Sequence, residues 1–375
     1  MNNHVFILVW GEQFVRDYVE VALPLQCMVG NLPSLNDYGE IYYHIYTNRS
    51  SLGFFDPEIQ ELKKFVNLEF HLIDEIEVGG RKLSETVKNL IGPQVRYNLQ
   101  FHCFKHLARI ALDDRNSLIT FLDPNTLISD GTLSAASMRI RDGYNVVNVN
   151  FLRVDSERFF PLIKKNLISE PRSLVRLAIS HFHHLQKAFF LDADPFTAYP
   201  SQLNWWIGSE GCLARAFIPS PLMFKVKPEI LTILSTMDYD LALRCWPDEE
   251  IYLCTDSDEM LVLKHSGSSH NANSVSGVAP STRDLAIFLI TSTHIRHRIF
   301  GDAPIFYHMN DINSKWERPL QESNTLLVAV YKEIESIPMH ANKLDAKFLM
   351  YLKSHTGPIE NYMSPALEPA ALSII

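Results

Sequence analysis

The N-terminal third of the chain alternates short apolar runs with helical patterns, and this alternation restricts its fold more than any other feature. Residues 5–10 are a continuous apolar run of strand length, and apolar side chains at helical spacing follow over residues 14–25. Further runs of strand length lie at residues 41–47, 68–74 and 118–122. Strands that alternate with helices pair in parallel through right-handed crossovers. The sequence therefore predicts an α/β fold.

An acidic residue, Asp123, ends the last of these runs. A predicted helix over residues 97–111 and a polar turn come before that run. Ligands of open α/β sheets bind at the carboxyl ends of the strands, so the position of Asp123 predicts a binding site. Asp123, Pro124 and Asn125 are also residues that turns favour for backbone reasons, and the tripeptide taken alone is more typical of an ordinary turn.

The order of these elements, together with Asp-x-Asn-x-x-x-Ser-Asp-Gly at residues 123–131, resembles the GT-A glycosyltransferases of bacterial type, whose Asp-x-Asp signature ends such a strand. The resemblance implies a Rossmann-related mixed sheet flanked by helices, with a C-terminal helical extension. The chain lacks the Gly-x-Gly-x-x-Gly turn of dinucleotide sites, which favours a mononucleotide sugar as ligand. The implied activity is transfer of a sugar from a nucleotide-sugar donor to a hydroxyl of a glycan, lipid-linked or protein acceptor.

Carried over to this sequence, the resemblance implies a nucleotide-sugar site with separate contacts for the base and the phosphates. Trp10, Gly11 and Thr47 would lie near the nucleotide base, at the ends of the first two strands, and Arg96 would approach the phosphates. Asp123 would contact the ribose or a divalent ion, Mn²⁺ or Mg²⁺.

The second position of the signature departs from the family pattern, because Asn125 stands where the family has a carboxylate. An Asn removes one anionic ligand from a hard-cation site that prefers carboxylates. Metal binding by Asp123 is therefore left open. Arg96, Lys105 or Arg215 would be the alternative partners of the diphosphate.

Other acidic groups compete with Asp123. Asp192 and Asp194 match Asp-x-Asp literally, but the pattern leading to them over residues 173–190 is helical rather than strand-like. Asp256, Asp258 and Glu259 follow a strand-like run, and carboxyls so close together suit a general base or a metal ligand as well as a solvated turn. We take these three as the candidates for the base that an inverting transferase needs.

Two tryptophans and an arginine suggest an acceptor site. Trp205 and Trp206 have rings that stack on sugars, and Arg215 follows in a segment rich in small residues, typical of the acceptor side of bacterial sugar transferases. An aromatic core with a tight turn is the alternative interpretation. His181 and His184 lie three residues apart, as a metal pair would on a helix, but no His-Glu-x-x-His motif accompanies them.

We predict a catalytic domain over residues 1–264, with a nucleotide half at about 1–131 and an acceptor half at about 132–264. Residues 265–284 are rich in Ser, Asn, Gly and His and predict a flexible loop, which would close over the donor or act as a linker. Residues 285–375 predict a C-terminal helical layer and tail, with helices near the segments 285–300, 325–337 and 344–352.

Composition indicates a globular protein, since 375 residues, 46% of them hydrophobic and 21% charged, bury a substantial core. The sequence has no apolar stretch of transmembrane length and no N-terminal leader pattern, so we expect a cytoplasmic location. A net charge of −9 argues against a nucleic-acid partner. The five cysteines lack a Cys-x-x-Cys pair, which predicts reduced thiols rather than a disulfide framework.

Two other functional classes remain as hypotheses. A non-catalytic GT-A-like module would keep the fold and bind a sugar, a nucleotide or a protein partner, and loss of Asp-x-Asp would be its signature. A glycoside hydrolase would use two of the acidic groups as acid and base. The sequence lacks the eightfold strand and helix repeat of a barrel, which argues against a glycoside hydrolase with a barrel fold.

Overall fold

The computed structural model of the chain describes residues 1–337 apart from residues 58, 89–92, 115, 234–236 and 271–277. The strands are β1 (Asn3–Leu8), β2 (Ile41–Thr47), β3 (Asn67–Leu72), β4 (Glu77–Val78), β5 (Arg81–Lys82), β6 (Leu118–Phe121), β7 (Thr126–Ile128), β8 (Val146–Val149), β9 (Phe151–Asp155), β10 (Gln202–Trp206), β11 (Gly211–Ala216), β12 (Ser220–Lys225), β13 (Ile251–Leu253), β14 (Val262–Ser266) and β15 (Pro304–His308). The helices are α1 (Glu12–Asp17), α2 (Leu23–Gln26), α3 (Leu32–Leu35), α4 (Ile59–Leu62), α5 (Leu83–Thr86), α6 (Pro93–Asp113), α7 (Thr132–Arg141), α8 (Ser156–Lys165), α9 (Pro171–Ser180), α10 (His184–Lys187), α11 (Met237–Cys245), α12 (Thr282–Ser292), α13 (Arg298–Gly301) and α14 (Glu317–Ser336).

A seven-stranded sheet in the order β13-β8-β12-β6-β1-β2-β3 forms the centre of the molecule. β1 pairs in parallel with β2 and β6, β2 pairs in parallel with β3, and β13 pairs in parallel with β8. β12 is antiparallel to both of its neighbours, so every strand except β12 runs in the same direction. The predicted α/β class, a mixed sheet flanked by helices, is confirmed.

Two smaller sheets accompany the central one. In the sheet β7-β14-β9, β14 is antiparallel to β7 and parallel to β9. The sheet β10-β11-β15 is antiparallel throughout. Because β15 comes from the C-terminal part of the chain and pairs with β11, residues that the sequence assigned to a helical layer also complete a sheet.

The two faces of the central sheet bury alternate side chains. Along β1, Val5 and Ile7 belong to one hydrophobic core, and Phe6 and Leu8 belong to another that includes Phe104 of α6. This alternation follows from the period of two along a strand, and both faces are covered as in other parallel sheets. A third core joins β10 and β11 to α12 and α14.

The strand predictions for the N-terminal third are confirmed, with small shifts at the ends. The single helix expected over residues 173–190 is wrong, because α9 ends at Ser180. Phe182 then forms a β-bridge with Val154, and the His183 ring accepts a hydrogen bond from the backbone N–H of Leu185 at the start of α10. Tertiary pairing thus interrupts a helical pattern.

The C-terminal predictions have mixed outcomes. The helix expected near residues 285–300 is shorter, since α12 ends at Ser292, and the helix near residues 325–337 is the second half of the longer α14. The helix near residues 344–352 lies outside the described residues. The predicted boundary between residues 264 and 265 is crossed by β14, and the domain division itself stays a prediction. Within the described ranges, every helix is too short or too polar to traverse a bilayer.

Candidate functional site

The carboxyl ends of the parallel strands gather the candidate residues along one edge of the central sheet. Gly11 follows β1, Thr47 ends β2, Asp123 follows β6, and Asp256 follows β13. All four strands run in the same direction, so these positions share one edge, where open α/β sheets bind ligands.

The residues predicted to lie near a nucleotide base are at the ends of β1 and β2, and β1 pairs with β6, the strand that leads to Asp123. Trp10 is half-buried and packs against the core around α6. Gly11 has φ of 83°, a left-handed conformation that favours glycine, and its N–H donates to Ser51 Oγ at 2.9 Å. The hydroxyl of Thr47 is buried and has no hydrogen-bond partner among the described residues. Because Thr47 is fully buried, a ligand would reach this hydroxyl only after local movement of the edge.

Asp123 is held by two neighbouring side chains. Gln100 of α6 donates to Asp123 Oδ1 at 2.6 Å, and Lys264 of β14 lies 2.8 Å from Asp123 Oδ2. Asn125 donates to the backbone carbonyl of His265 at 3.3 Å and so joins the start of β7 to β14. Each carboxylate oxygen of Asp123 therefore has a side-chain donor, one of them charged.

Three cations form what we call the basic cluster: Arg96, Arg153 and Lys264. Lys264 pairs with Asp123, and Arg153 interacts electrostatically with both Asp123 and Arg96. Arg153 of β9 is the register neighbour of Lys264, and its Nη1 donates to Ser266 Oγ at 2.7 Å. Burial and the charge of Arg96 lower the pKa of Arg153 to about 10, which leaves the guanidinium charged at neutral pH. A cluster of three cations that contains one carboxylate partner is suited to an anion. Arg96 was identified from the sequence, whereas Arg153 and Lys264 were missed.

A second group lies at the end of β13 and contains Asp256, Asp258 and His308. Their ligand atoms all lie within 4.8 Å of one another. His308 Nε2 is 2.8 Å from Asp256 Oδ1 and 3.7 Å from Asp258 Oδ2. The imidazole is buried, and the two carboxylates are partly exposed, which leaves the group open on one side. We call these three residues the Asp-Asp-His group.

The hydrogen bond at Nδ1 fixes the tautomer of His308. Nδ1 lies 2.8 Å from the carbonyl oxygen of Asn310, and a carbonyl only accepts, so Nδ1 carries the proton. In the neutral ring, Nε2 then points a lone pair at Asp256. That arrangement requires a positive charge between the two groups, which either a second proton on the ring or a bound cation supplies.

The local backbone fixes this group. The N–H of Phe306 donates to the carbonyl of Thr255 at 2.8 Å, and the N–H of Ser257 donates back to the carbonyl of Phe306 at 3.0 Å. Ser257 Oγ accepts from the N–H of His308 at 3.2 Å. The loop after β13 and the end of β15 are thereby held in register.

The three predicted base candidates, Asp256, Asp258 and Glu259, have different partners. Arg172 of α9 lies 2.8 Å from Asp258 Oδ2. Glu259 accepts from Arg139 Nε at 2.6 Å and from the Tyr252 hydroxyl at 2.6 Å. Glu259 is therefore held apart from the Asp-Asp-His group, while the other two candidates belong to it.

The predicted acceptor residues have different environments. Trp205 is 7% exposed and belongs to the third core, whereas Trp206 is 40% exposed and stacks on Phe190 with ring centroids 3.9 Å apart. Arg215 is 1% exposed, and its guanidinium donates to Ser323 Oγ and to the carbonyl of Asp302. Arg215 therefore fastens α14 to β11, and of the three residues Trp206 presents the most surface to a ligand.

The remaining metal candidates from the sequence are not brought together with other ligands. Among the described residues, two groups have the geometry of a metal site, and neither contains Asp123, Asp192, Asp194 or His181. His181 Nδ1 lies 2.9 Å from the carbonyl of Leu177. Lys105 lies on α6 beside a small cavity of about 140 Å³, and Asp123 is not among the residues that line this cavity.

No protein-family model matches this sequence, and no curated protein does. Among solved structures, apo mouse xyloside xylosyltransferase 1 aligns with 46% of this chain and 62% of its own, at 13% identity and a TM-score of 0.27. A putative glucose-1-phosphate thymidylyltransferase from Bacillus anthracis, crystallised with sucrose, aligns with 42% of this chain and 58% of its own, at 13% identity and a TM-score of 0.23. S. aureus TarS aligns with 100% of this chain and 52% of its own, at 10% identity and a TM-score of 0.27.

The chain thus spans between 52% and 62% of the length of these structures. Two of them carry names of transferases, one of a sugar and one of a nucleotidyl group. Likeness at these identities and scores transfers no function to this chain.

Proposed function

We propose that the protein is a glycosyltransferase that moves a sugar from a nucleotide-sugar donor to an acceptor hydroxyl. The observation that carries this proposal is the Asp-Asp-His group. His308 Nδ1 donates its proton to a carbonyl oxygen, and Nε2 of the same ring faces Asp256 and Asp258. Such a set of oxygen and nitrogen ligands suits a divalent cation, and transfer from a nucleotide sugar requires stabilisation of a diphosphate leaving group.

The ligand types favour Mn²⁺ over Mg²⁺. Two carboxylates suit either ion, but Mg²⁺ is usually held by carboxylates, water and phosphates, and an imidazole is a better ligand for a transition metal. A cation bound by Asp256, Asp258 and His308 would supply charge that stabilises the departing diphosphate. Arg172 would keep Asp258 oriented toward that position.

The basic cluster supports the same proposal from the middle of the edge. Arg96, Arg153 and Lys264 would hold phosphate oxygens. Trp10 and Gly11 would contact the base, as the resemblance to GT-A enzymes implies, and Trp206 would stack on the acceptor sugar.

The test is calorimetric titration and thermal shift of the full chain with UDP, GDP, CMP and dTDP, each with Mn²⁺ and with EDTA. We expect one nucleotide to stabilise the protein more strongly with Mn²⁺, and we expect Asp256→Asn to remove the metal-dependent part. Product analysis with the corresponding nucleotide sugar then measures transfer. Failure of all four nucleotides to bind under either condition would contradict the proposal.

A non-catalytic binding module is the second candidate, and one observation favours it. Asp123 is neutralised by Lys264 instead of standing free for a cation, and Asn125 contacts backbone. A module of this kind would bind a nucleotide or a sugar through the basic cluster without turnover. Product analysis with a nucleotide sugar separates the two, because an enzyme transfers the sugar while a binding module binds the nucleotide without turnover.

A further inference from the structure

A second group of metal-ligand side chains lies at the opposite end of the central sheet. β3 is one edge strand of this sheet, and β13, which leads to the Asp-Asp-His group, is the other. His44 on β2 is the register partner of Glu69 on β3, and His71 follows two residues later on β3. Residues two apart on a strand share a face, so all three side chains meet on one side of the sheet.

The distances among the three ligand atoms are close to those around a tetrahedral ion. Glu69 Oε2 lies 3.4 Å from His44 Nδ1 and 3.6 Å from His71 Nε2, and the two nitrogens are 2.9 Å apart. A tetrahedral zinc ion with bonds of about 2.0–2.1 Å sets its ligand atoms about 3.3 Å apart, so small side-chain rotations suffice.

A hydrogen-bonded chain behind His44 fixes which of its nitrogens carries the proton. Asp114 Oδ2 lies 3.2 Å from His4 Nε2, and His4 Nδ1 lies 3.0 Å from His44 Nε2. The carboxylate only accepts, so His4 Nε2 carries a proton and, in the neutral ring, His4 Nδ1 accepts. His44 Nε2 must then donate, and the lone pair of His44 Nδ1 faces Glu69 and His71.

The side of His44 that faces Glu69 and His71 is arranged around one shared position. Because His44 Nδ1 accepts, His71 Nε2 at 2.9 Å donates to it and also lies 3.6 Å from the Glu69 carboxylate, and a metal ion would take the place of that proton. A carboxylate that orients a metal-binding imidazole from behind is common in zinc sites, here extended by one further ring.

We propose that His44, Glu69 and His71 bind a zinc ion. Two imidazoles and one carboxylate are ligands that Zn²⁺ favours over Mg²⁺ or Ca²⁺. Glu69 is 46% exposed, so the fourth position opens to solvent and takes water. The ion would fasten the edge strand β3 to β2, at a distance along the sheet from the proposed transfer site.

The test measures zinc by calorimetric titration with ZnCl₂ and by metal analysis of the full chain. An Asp256→Asn, Asp258→Asn background removes the Asp-Asp-His group, and we expect it to keep one zinc per chain. In that background, Glu69→Gln and His71→Phe are expected to weaken zinc binding at least about tenfold. His71→Phe keeps a ring to stack on Tyr46, and Glu69→Gln changes a half-exposed side chain, so at least one variant is expected to fold.

Two further variants sharpen the result. Asp114→Asn touches no ligand, yet we expect it to weaken zinc binding by about 10- to 100-fold through the loss of the His4 anchor. His294→Gln changes an exposed histidine elsewhere and is expected to leave binding unchanged. The proposal is overturned if the background protein binds no zinc, or if Glu69→Gln and His71→Phe bind it as tightly as the background does.

Discussion

Asp256 Oδ1 and His308 Nε2 lie 2.8 Å apart although 52 residues separate them in the sequence. The contact depends on β15 pairing with β11 and on the loop after β13 pairing with β15, so three separate segments must be in place before the group exists. Because Nδ1 of His308 donates to the carbonyl of Asn310, Nε2 is the nitrogen that faces the carboxylates.

Replacing a ligand of this group is expected to lower Mn²⁺ affinity without unfolding the protein. Asp256→Asn removes an anionic oxygen from a partly exposed position, so we expect at least about a tenfold loss in Mn²⁺ affinity and little change in thermal stability. Titration of Mn²⁺ into the full chain measures the effect. Asp37→Asn, at an exposed site, is the matched control. Equal Mn²⁺ affinity in wild type and Asp256→Asn would contradict the assignment.

The basic cluster predicts a different effect, on nucleotide binding. Arg153→Gln keeps a donor but removes the charge, and loss of one charge-assisted contact of about 1.5–3 kcal/mol corresponds to roughly 10- to 100-fold weaker binding of a nucleoside diphosphate. Titration in EDTA measures this part apart from any metal contribution. Lys187→Gln removes an exposed charge elsewhere and should have no such effect. Unchanged binding by Arg153→Gln would place the diphosphate elsewhere.

Local patterns explain which parts of the fold were predictable. Residues 41–47 form a strand because their β-branched and aromatic side chains are buried on both faces, and the run itself carries that signal. Residues 173–190 do not form one helix, because the pairing of Phe182 with Val154 is a contact between distant segments. The spacing of apolar residues along the chain does not reveal such a contact.

Part of the candidate site was also predictable from the sequence. Asp256 and Asp258 were identified because carboxylates at a strand end are visible in the sequence. His308 was missed, and the signal that would have found it is modest, an apolar strand-like run ending in a histidine. Lys264 was also missed, and its ion pair with Asp123 spans 141 residues. Partners that meet through sheet pairing are not encoded by spacing along the chain.

Arg215 is expected to matter for stability. Its guanidinium is fully buried and donates to Ser323 and to the carbonyl of Asp302, so Arg215→Ala leaves buried acceptors without donors. We expect a loss of about 3 kcal/mol in the free energy of unfolding, measured by urea titration. Arg318→Ala, on the exposed face of α14, should change it by less than about 0.5 kcal/mol. A similar small change for Arg215→Ala would show that this arginine does not hold α14.

The two neighbouring tryptophans predict opposite consequences. Trp205→Ala leaves a cavity in the third core and is expected to cost about 3–5 kcal/mol of stability. Trp206→Ala removes a half-exposed ring stacked on Phe190 and should cost about 1 kcal/mol. If Trp206 stacks on the acceptor, its replacement raises KM for the acceptor while KM for the donor stays the same. An unchanged acceptor KM would remove Trp206 from the acceptor site.

Stability is expected to fall in mild acid because of buried histidines, and His265 allows a direct test. Burial and the charge of Arg153 lower the pKa of His265 to about 4, whereas an unfolded histidine titrates near 6.5. Below about pH 6.5 the unfolded chain therefore binds a proton that the folded chain does not. The contribution of His265 to stability is complete above that pH and is lost as the pH falls toward about 4.

The expected slope is up to about 1.4 kcal/mol per pH unit from this residue alone. His265→Gln cannot titrate and keeps a donor for the carbonyl of Pro124, which accepts a hydrogen bond from the ring in the wild type. Urea titrations across this pH range should therefore give the Gln variant a smaller slope of unfolding free energy against pH, and the two curves should converge as the pH falls. Parallel curves for the two proteins would mean that His265 is protonated in the folded state as readily as in the unfolded chain, and that burial beside Arg153 does not control its charge.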